Sequence, residues 1–350
     1  MLKKIIEEEH IQKAKKYVEK GDNFLIIAHI SPDGDAIGSS LGLFHFLNEY
    51  GKDKVSVLVP NNFPAYYKWM PGAKDIVIYD KYPEFAKQLI TDADVIFCLD
   101  FNEPARVGKL SEALLAAEGR KVMIDHHLDH ADFCRVTMSY PEISSTSELV
   151  FRFICRMGMF DLITKAAAEC IYVGMMTDTG AFTYNSNHPE IYTIIGELIK
   201  KGVDKDLIYR KVYQASSESR MRMMGYVLYE KMKLYPKQNT VLITLSQEEL
   251  KRFHYNTGDT EGFVNLPLNL KGVKFVAFIR EYLDIIKISC RSIGSFPCNR
   301  FAGKYFNGGG HRNASGGEFF GSLAEAVDLF EKSLNELNPA TWEELPEQRT

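Results

Sequence analysis

No stretch of this sequence approaches the ~18 consecutive apolar residues that a membrane-spanning helix needs. We expect no secretory leader either. The start, Met1-Leu2-Lys3-Lys4-Ile5-Ile6-Glu7-Glu8-Glu9, turns acidic at once. The six cysteines (98, 134, 155, 170, 290 and 298) show no close-paired spacing, which argues against a thiolate metal site. These absences lead us to expect a cytoplasmic protein with reduced thiols and no membrane association. There is no basic excess: the net charge is −4, which argues against a general binder of long duplex nucleic acid. Internal repeats and low-complexity stretches are also lacking.

What is present suffices for full cores, with 45% hydrophobic and 25% charged residues in a chain of 350, a length for which two domains are the prior. The charge is uneven. Residues 1–220 hold 26 Lys+Arg against 31 Asp+Glu, whereas residues 221–337 hold 15 against 12. A carboxylate-rich lobe beside a mildly basic one suits a small anionic substrate. Short apolar runs at Phe24–Ala28, Val55–Val59, Ile76–Tyr79, Val95–Leu99 and Lys121–Ile124 read as buried strands. They alternate with helical stretches at 3–20, 36–50, 83–90 and 111–118, and with an apolar helix over 166–177. Ser145 with Glu148 reads as a capping box. The expected fold is therefore α/β, a mainly parallel sheet with helices on both faces over 1–200. A helical linker follows over 201–235, with Leu207–Tyr235 as its connecting helix. A smaller α+β domain occupies 236–338, with helices capped by Ser246/Glu249 and Ser322/Glu325. A loose tail occupies 339–350.

Four of these elements end on hard metal ligands. His29 follows the first strand, with Asp33 and Asp35 in the turn after it; Asp100, His126 and Asp178 close three later elements. One such aspartate would read as a helix cap or turn residue. Four endings in order on the ligand-binding edge of one sheet point to a site. Four carboxylates in one cleft repel one another unless cations cancel their charge. Imidazole with carboxylate and no thiolate favours Mn²⁺ or Mg²⁺ over structural Zn²⁺. Two such ions, ~3.5–4 Å apart, can clamp a phosphoryl group undergoing displacement.

His29-x-x-x-Asp33-x-Asp35, the strand ending in Asp100, Asp125-His126-His127 and Asp178-Thr179-Gly180 resemble the motifs of the DHH phosphoesterases. The run Gly308-Gly309-Gly310-His311-Arg312-Asn313-Ala314-Ser315-Gly316-Gly317 resembles the signature of their DHHA1 domain, and the resemblance spans about residues 20–335. In length and layout the chain is similar to the subgroup acting on short oligoribonucleotides and on 3′-phosphoadenosine-5′-phosphate (pAp). Phosphodiesterases of linear or cyclic dinucleotides are the alternative. The resemblance implies a Mn²⁺ pair, with Mg²⁺ or Co²⁺ as alternatives. One ion would be held by His29, Asp33 and Asp100, the other by Asp35, Asp100, His126 and Asp178. It implies that His127 faces the scissile phosphate as a contact or proton donor, with Asp125 supporting a histidine or the local backbone. Ser145-Thr146 resembles a family Ser-Ser-Thr stretch and equally reads as a helix cap. Arg106 matches a recurrent Arg-x-Gly and equally reads as a salt-bridge residue.

In the glycine run, backbone N–H groups can converge on an anion without Cβ obstruction, although a tight turn is the commoner meaning of such a run. Together with Arg291 and Ser292, the residues Gly309, Gly310, His311, Arg312 and Ser315 are the expected grip on a substrate phosphate. Asn307 stands where the family often has a further glycine, and Asn tolerates left-handed backbone. The implied partners are short oligoribonucleotides and pAp-like nucleotides, with a homodimer left open. The competing class is a non-catalytic nucleotide-binding protein, whose mark would be a lost metal ligand; none is lost here.

Overall fold

The structure, a computed structural model, describes residues 3–282, 284–340 and 342. Contacts divide the chain into two compact units that part between Ala215 and Ser216. The first contains α1 (Glu8–Lys20), β1 (Asn23–Ile27), α2 (Gly34–Glu49), β2 (Lys54–Val59), β3 (Val77–Ile78), α3 (Pro83–Asp92) and β4 (Val95–Leu99). It continues with α4 (Ser111–Ala116), β5 (Arg120–Asp125), β6 (Val136–Ser139), α5 (Thr146–Arg156), α6 (Lys165–Asp178), α7 (Pro189–Lys200) and α8 (Lys205–Tyr213). Its six strands form one sheet in the order β3-β2-β1-β4-β5-β6, and every pairing is parallel.

Side chains of a strand point alternately to the two faces of its sheet. Here both faces are covered, so the strands are apolar throughout. Phe24 and Ile26 of β1, with Phe97 and Leu99 of β4, pack into a large core shared with α1, α2, α5, α6 and α7. Leu25, Ile27, Ile96 and Cys98 point the other way, into a smaller core with α3 and α4. The strand order reverses between β1 and β4. In open α/β sheets, ligands bind in the crevice that such a reversal leaves at the carboxyl ends of the strands.

Helices α2 and α6 cross at glycine. A Cβ on Gly38 would lie 2.6 Å from the Cys170 carbonyl oxygen and 2.7 Å from the Gly174 nitrogen. The run Gly34, Gly38, Gly42 thus gives α2 a flat side on which α6 can lie. That contact brings the C-terminal end of α6 beside the N-terminal end of α2.

The second unit contains α9 (Glu218–Tyr226), β7 (Met232–Tyr235), β8 (Thr240–Leu245), α10 (Gln247–Arg252), β9 (Phe275–Tyr282) and β10 (Ile285–Ser292). It ends with α11 (Cys298–Tyr305), β11 (Gly309–His311), β12 (Ala314–Phe319) and α12 (Leu323–Glu336). Its sheet runs β11-β12-β10-β9-β8-β7, with β8 and β9 parallel and the other pairs antiparallel. Ser246 and Ser322 both form full capping boxes, with Glu249 and Glu325.

Two local expectations are corrected. The connecting helix over Leu207–Tyr235 is not continuous. Helix α8 stops at Tyr213, and Ser217 starts a new helix by accepting the Arg220 N–H. Serines compete for backbone hydrogen bonds, so they favour caps over helix interiors. Beyond α9, Met232–Tyr235 is a strand paired with β8, because sheet pairing overrides the modest helix propensity of Met and Lys. The N-terminal helix starts at Glu8 rather than residue 3. Residues 3–7 are instead an arm whose carbonyls at Lys3 and Ile6 accept from Arg152 and Arg156. Of the tail expected over 339–350, all but residues 339, 340 and 342 lie outside the described residues, and the Trp342 ring meets Phe296 edge-on.

Candidate metal centre

The structure brings His29, Asp33, Asp35, Asp100, His126 and Asp178 together at the strand-order reversal. His29 follows β1 and Asp100 follows β4, the two strands that flank it; His126 follows β5, and Asp178 ends α6. Asp33 is the N-cap of α2 and accepts the N–H groups of Asp35 and Ala36. The cap is thus Asp33, and Asp35 lies in the first turn of the helix. Asp100 is a non-glycine residue in left-handed backbone, φ 64°. Such strain at a strand end re-aims a side chain and persists only where the surroundings enforce it.

Both histidines are fixed by their Nδ1 atoms. His29 Nδ1 lies 2.8 Å from the Ile30 carbonyl oxygen, and His126 Nδ1 lies 3.2 Å from that of Ile143. A carbonyl only accepts, so each Nδ1 carries a proton, and each ring, once neutral, presents its lone pair at Nε2. His29 Nε2 is 3.4 Å from Asp100 Oδ2 and 3.9 Å from Asp33 Oδ1. His126 Nε2 is 3.5 Å from Asp100 Oδ1, 3.5 Å from Asp178 Oδ2 and 3.8 Å from Asp35 Oδ2. A charge-assisted hydrogen bond would close to about 2.7–2.9 Å. Two ligand atoms sharing one cation at about 2.1 Å stand roughly 3–4 Å apart instead. The side chains are therefore spaced for an ion between them. Asp100 turns one oxygen to each histidine and belongs to both groups.

Helix α5 holds the carboxylates from behind. Asp35 accepts the Thr146 N–H at 2.6 Å and the Ser147 N–H at 2.9 Å, and Thr146 Oγ1 donates to Asp100 Oδ1 at 2.9 Å. Ser145 caps the helix through the Glu148 N–H. The two readings of Ser145-Thr146 thus divide between neighbours, one capping and one touching the acidic cluster. Glu148 does not close the capping box; its carboxylate accepts from Ser144 and pairs with buried Arg152.

The electrostatics show how crowded the charges are. Burial pushes Asp178 up to about 6, with Asp33 and Asp100 adding to the rise and His126 opposing it. Burial raises Asp35 well above the carboxylate range, and the charges of Asp100 and Asp178 raise it further. For His126, burial favours the neutral ring, but Asp178, Asp100 and Asp35 outweigh it and lift the group to about 9. Without a cation, this cluster stores protons that an ion would displace.

Asp125 Oδ1 lies 2.7 Å from His127 Nδ1, and its other oxygen accepts the His127 N–H at 3.0 Å. Asp125 is fully buried and orients the His127 ring. Arg106 makes no ion pair among the described residues. Its Nε is buried without a hydrogen-bond partner, and its charge acts on His29. Tyr67, a residue with no motif around it, is buried with its hydroxyl against Gly34, the residue between Asp33 and Asp35; burial and the nearby carboxylate charges push that hydroxyl well above its ordinary value. A Cβ on Gly34 would lie 2.7 Å from that hydroxyl, so glycine is what lets it approach.

In the second unit, the glycine run forms β11, the turn and most of β12. Arg291, Ala314 and His311 are register partners across three strands, and Ser289, Gly316 and Gly309 form the next row. Arg291 and His311 thus share one face, with the exposed Gly309 and Gly316 beside them. Ser292 and Ser315 are on the opposite, buried face: Ser292 Oγ donates to the Phe296 carbonyl and Ser315 Oγ to Cys298 Sγ. Arg312 reaches the Ser295 carbonyl at 3.1 Å. Gly310 needs its hydrogen side chain at φ 128°, and Asn307 adopts left-handed backbone at φ 45°.

The model of the DHH family, N-terminal domain, matches residues 23–175, and that of the DHHA1 domain matches residues 238–337. The bifunctional oligoribonuclease and PAP phosphatase NrnA of Thermus thermophilus is 30% identical over 295 residues, 83% of this chain and 82% of that one. The chain belongs to the DHH family of phosphoesterases. Another relative of this DHH protein, the cyclic-di-AMP phosphodiesterase GdpP of Bacillus subtilis, is 24% identical over 92% of this chain and 49% of that one. A crystal structure of an exopolyphosphatase-related protein from Bacteroides fragilis is 60% identical, with a TM-score of 0.91 over 97% of this chain and 99% of that one. Among the described residues, no helix is long and apolar enough to cross a membrane.

Proposed function

We propose that this DHH protein is a divalent-cation-dependent hydrolase, with Mn²⁺ as the preferred ion. Its substrates would be very short oligoribonucleotides, cut to mononucleotides, and pAp, from which phosphate is released. The observation that carries this reading is the pair of histidines whose Nε2 atoms face the two oxygens of one aspartate at 3.4 and 3.5 Å. Asp33 completes one donor set, and Asp35 and Asp178 complete the other. Bound cations would supply the Lewis acidity that neutralises phosphate charge and acidifies water.

The remaining work falls to the chain's own residues. Helix α5 pins Asp35 and Asp100, so the donor sets stand ready before any ion arrives. Arg106, whose charge acts on His29, adds positive charge that would attract a substrate phosphate. His127, held by Asp125, donates a proton from Nε2 to the leaving oxygen when its ring is doubly protonated. Such proton transfer contributes typically 10²–10⁴-fold. In the second unit, Arg291 and His311 flank a glycine floor that admits a phosphate group close to the backbone.

The test is turnover by the purified full chain with Mn²⁺, offered pAp, a diribonucleotide and pyrophosphate. The reading expects hydrolysis of the first two; no turnover of any phosphoester contradicts it. Preference for a cyclic dinucleotide over both would favour the alternative suggested by the likeness to GdpP. Asp100→Asn separates enzyme from binding protein. An enzyme loses nearly all turnover, whereas a metal-independent binder keeps its ligand affinity.

A further inference from the structure

The metal centre accounts for Asp178 but not for the chain that follows it. Gly180, Ala181 and Phe182 adopt φ values of 53°, 58° and 63°, and Asn185 adds 47°. Successive left-handed residues are costly when they carry side chains, and such strain collects at functional sites. The turn is held firmly. The Ala181 N–H donates to the Met176 carbonyl at 2.8 Å, the Phe182 N–H to Thr179 Oγ1 at 3.1 Å, and the Thr183 N–H to the Thr179 carbonyl at 2.9 Å. Buried Thr179 in turn donates to the Met175 carbonyl at 2.7 Å.

What this backbone achieves is the placement of two rings. Phe182 turns inward against Tyr172, with ring centroids 5.8 Å apart. Tyr184 turns outward and lies over Gly180, where a Cβ would fall 2.2 Å from its Cε1. Two more rings stand nearby on α8. Tyr209 and Tyr213 are one turn apart, with centroids 5.1 Å apart, and the Tyr213 hydroxyl donates to the Met176 carbonyl at 3.4 Å. Met176, which the Tyr213 hydroxyl reaches, and Gly180, which the Tyr184 ring covers, each lie two residues from Asp178, so these rings stand beside the end of α6 that carries the carboxylate. The three tyrosines are 49%, 41% and 39% exposed and stand outside the core that takes Phe182.

We propose that Tyr184, backed by Tyr209 and Tyr213, is a stacking platform for a nucleobase of the substrate, on the Asp178 side of the metal centre. The proposal rests on the reading that the substrate is a nucleotide. Single-stranded RNA bases are held by stacking on aromatic faces, which tolerates any base because each has a π-face. A platform beside the phosphate-processing carboxylates would fix the base of the nucleotide being cleaved and leave its sequence unread.

The test is calorimetric titration of the full chain, in Mn²⁺, with adenosine 5′-monophosphate and with ribose 5-phosphate, which lacks the base. The wild type should bind the nucleotide at least ten-fold more tightly, about what one base–aromatic stack provides. Tyr184→Ala should lose most of that preference and bind ribose 5-phosphate within two-fold of wild type. Tyr184→Phe should keep the preference. If Tyr184→Ala melts early, Tyr209→Ala, further from the strained turn, should show a smaller loss in the same direction. A wild type that does not distinguish the two ligands overturns the platform, as does a well-folded Tyr184→Ala that distinguishes them fully. A wild type that prefers the nucleotide but hydrolyses no phosphoester overturns the enzymatic reading and leaves the platform standing.

Discussion

Gly38→Ala tests whether the α2–α6 crossing sets the geometry of the acidic cluster. The added Cβ would sit 2.6 Å from the Cys170 carbonyl oxygen, 2.7 Å from the Gly174 nitrogen and 2.9 Å from its Cα. Ordinary contacts between heavy atoms lie near 3.5–4.0 Å, so the helices must separate by several tenths of an ångström. All three opposing atoms are backbone, and no side chain can swing aside. Overpacking of this kind costs about 1–3 kcal/mol, and the rigid neighbours put it at the upper end. Alanine returns about 1 kcal/mol of helix propensity. The net loss is then about 2 kcal/mol, a fall in melting temperature of about 4–8 °C for a unit of this size. Because α2 starts with Asp33 and Asp35 and α6 ends on Asp178, the same separation should weaken Mn²⁺ binding. Gly196→Ala is the control: it lies within α7, and a Cβ there meets nothing within 4 Å. That variant should melt up to about 4 °C higher, because only the propensity term acts. Scanning calorimetry of both variants decides the matter. A Gly38→Ala protein that melts at or above wild type refutes the packing argument.

Thr146→Val removes the hydroxyl that donates to Asp100 while keeping the side-chain shape. A hydrogen bond to a charged group is worth about 1.5–3 kcal/mol, so Mn²⁺ affinity should fall ten-fold or more, with Thr146→Ser close to wild type by calorimetry. Metal affinity should rise with pH between about 6 and 9. Binding needs Asp178 ionised and His126 neutral; burial lifts the first to about 6, and neighbouring carboxylates lift the second to about 9. Each ion bound near pH 7 should therefore release protons, seen as a heat that depends on the ionisation enthalpy of the buffer. His127→Gln should lower kcat by 10²-fold or more while metal affinity stays near wild type, because a proton donor is lost without loss of a metal ligand.

Five of the first sheet's six strands were legible because they are short, apolar and punctuated, and because ligands after successive strands must gather at one edge; β6, which alternates buried and half-buried residues, carries no such apolar run. The supporting residues were not. Tyr67 reaches the cluster through a gap left by Gly34, and neither residue signals the other along the sequence. The backbone N–H groups of Thr146 and Ser147 carry no side-chain signature at all. Arg291 and Ser292 are adjacent in a strand and must face opposite sides of the sheet, so they cannot grip one phosphate together. The break after Tyr213 could be read from Ser216-Ser217, whereas β7 depends on pairing with β8, which local propensity does not encode.

The most direct test of the central claim is anomalous diffraction at the manganese edge from crystals grown with Mn²⁺. Two peaks are expected, one among His29, Asp33 and Asp100 and one among Asp35, Asp100, His126 and Asp178, with Asp100 touching both. A map with no peak among these side chains, or with a single ion that leaves one histidine unligated, would contradict it.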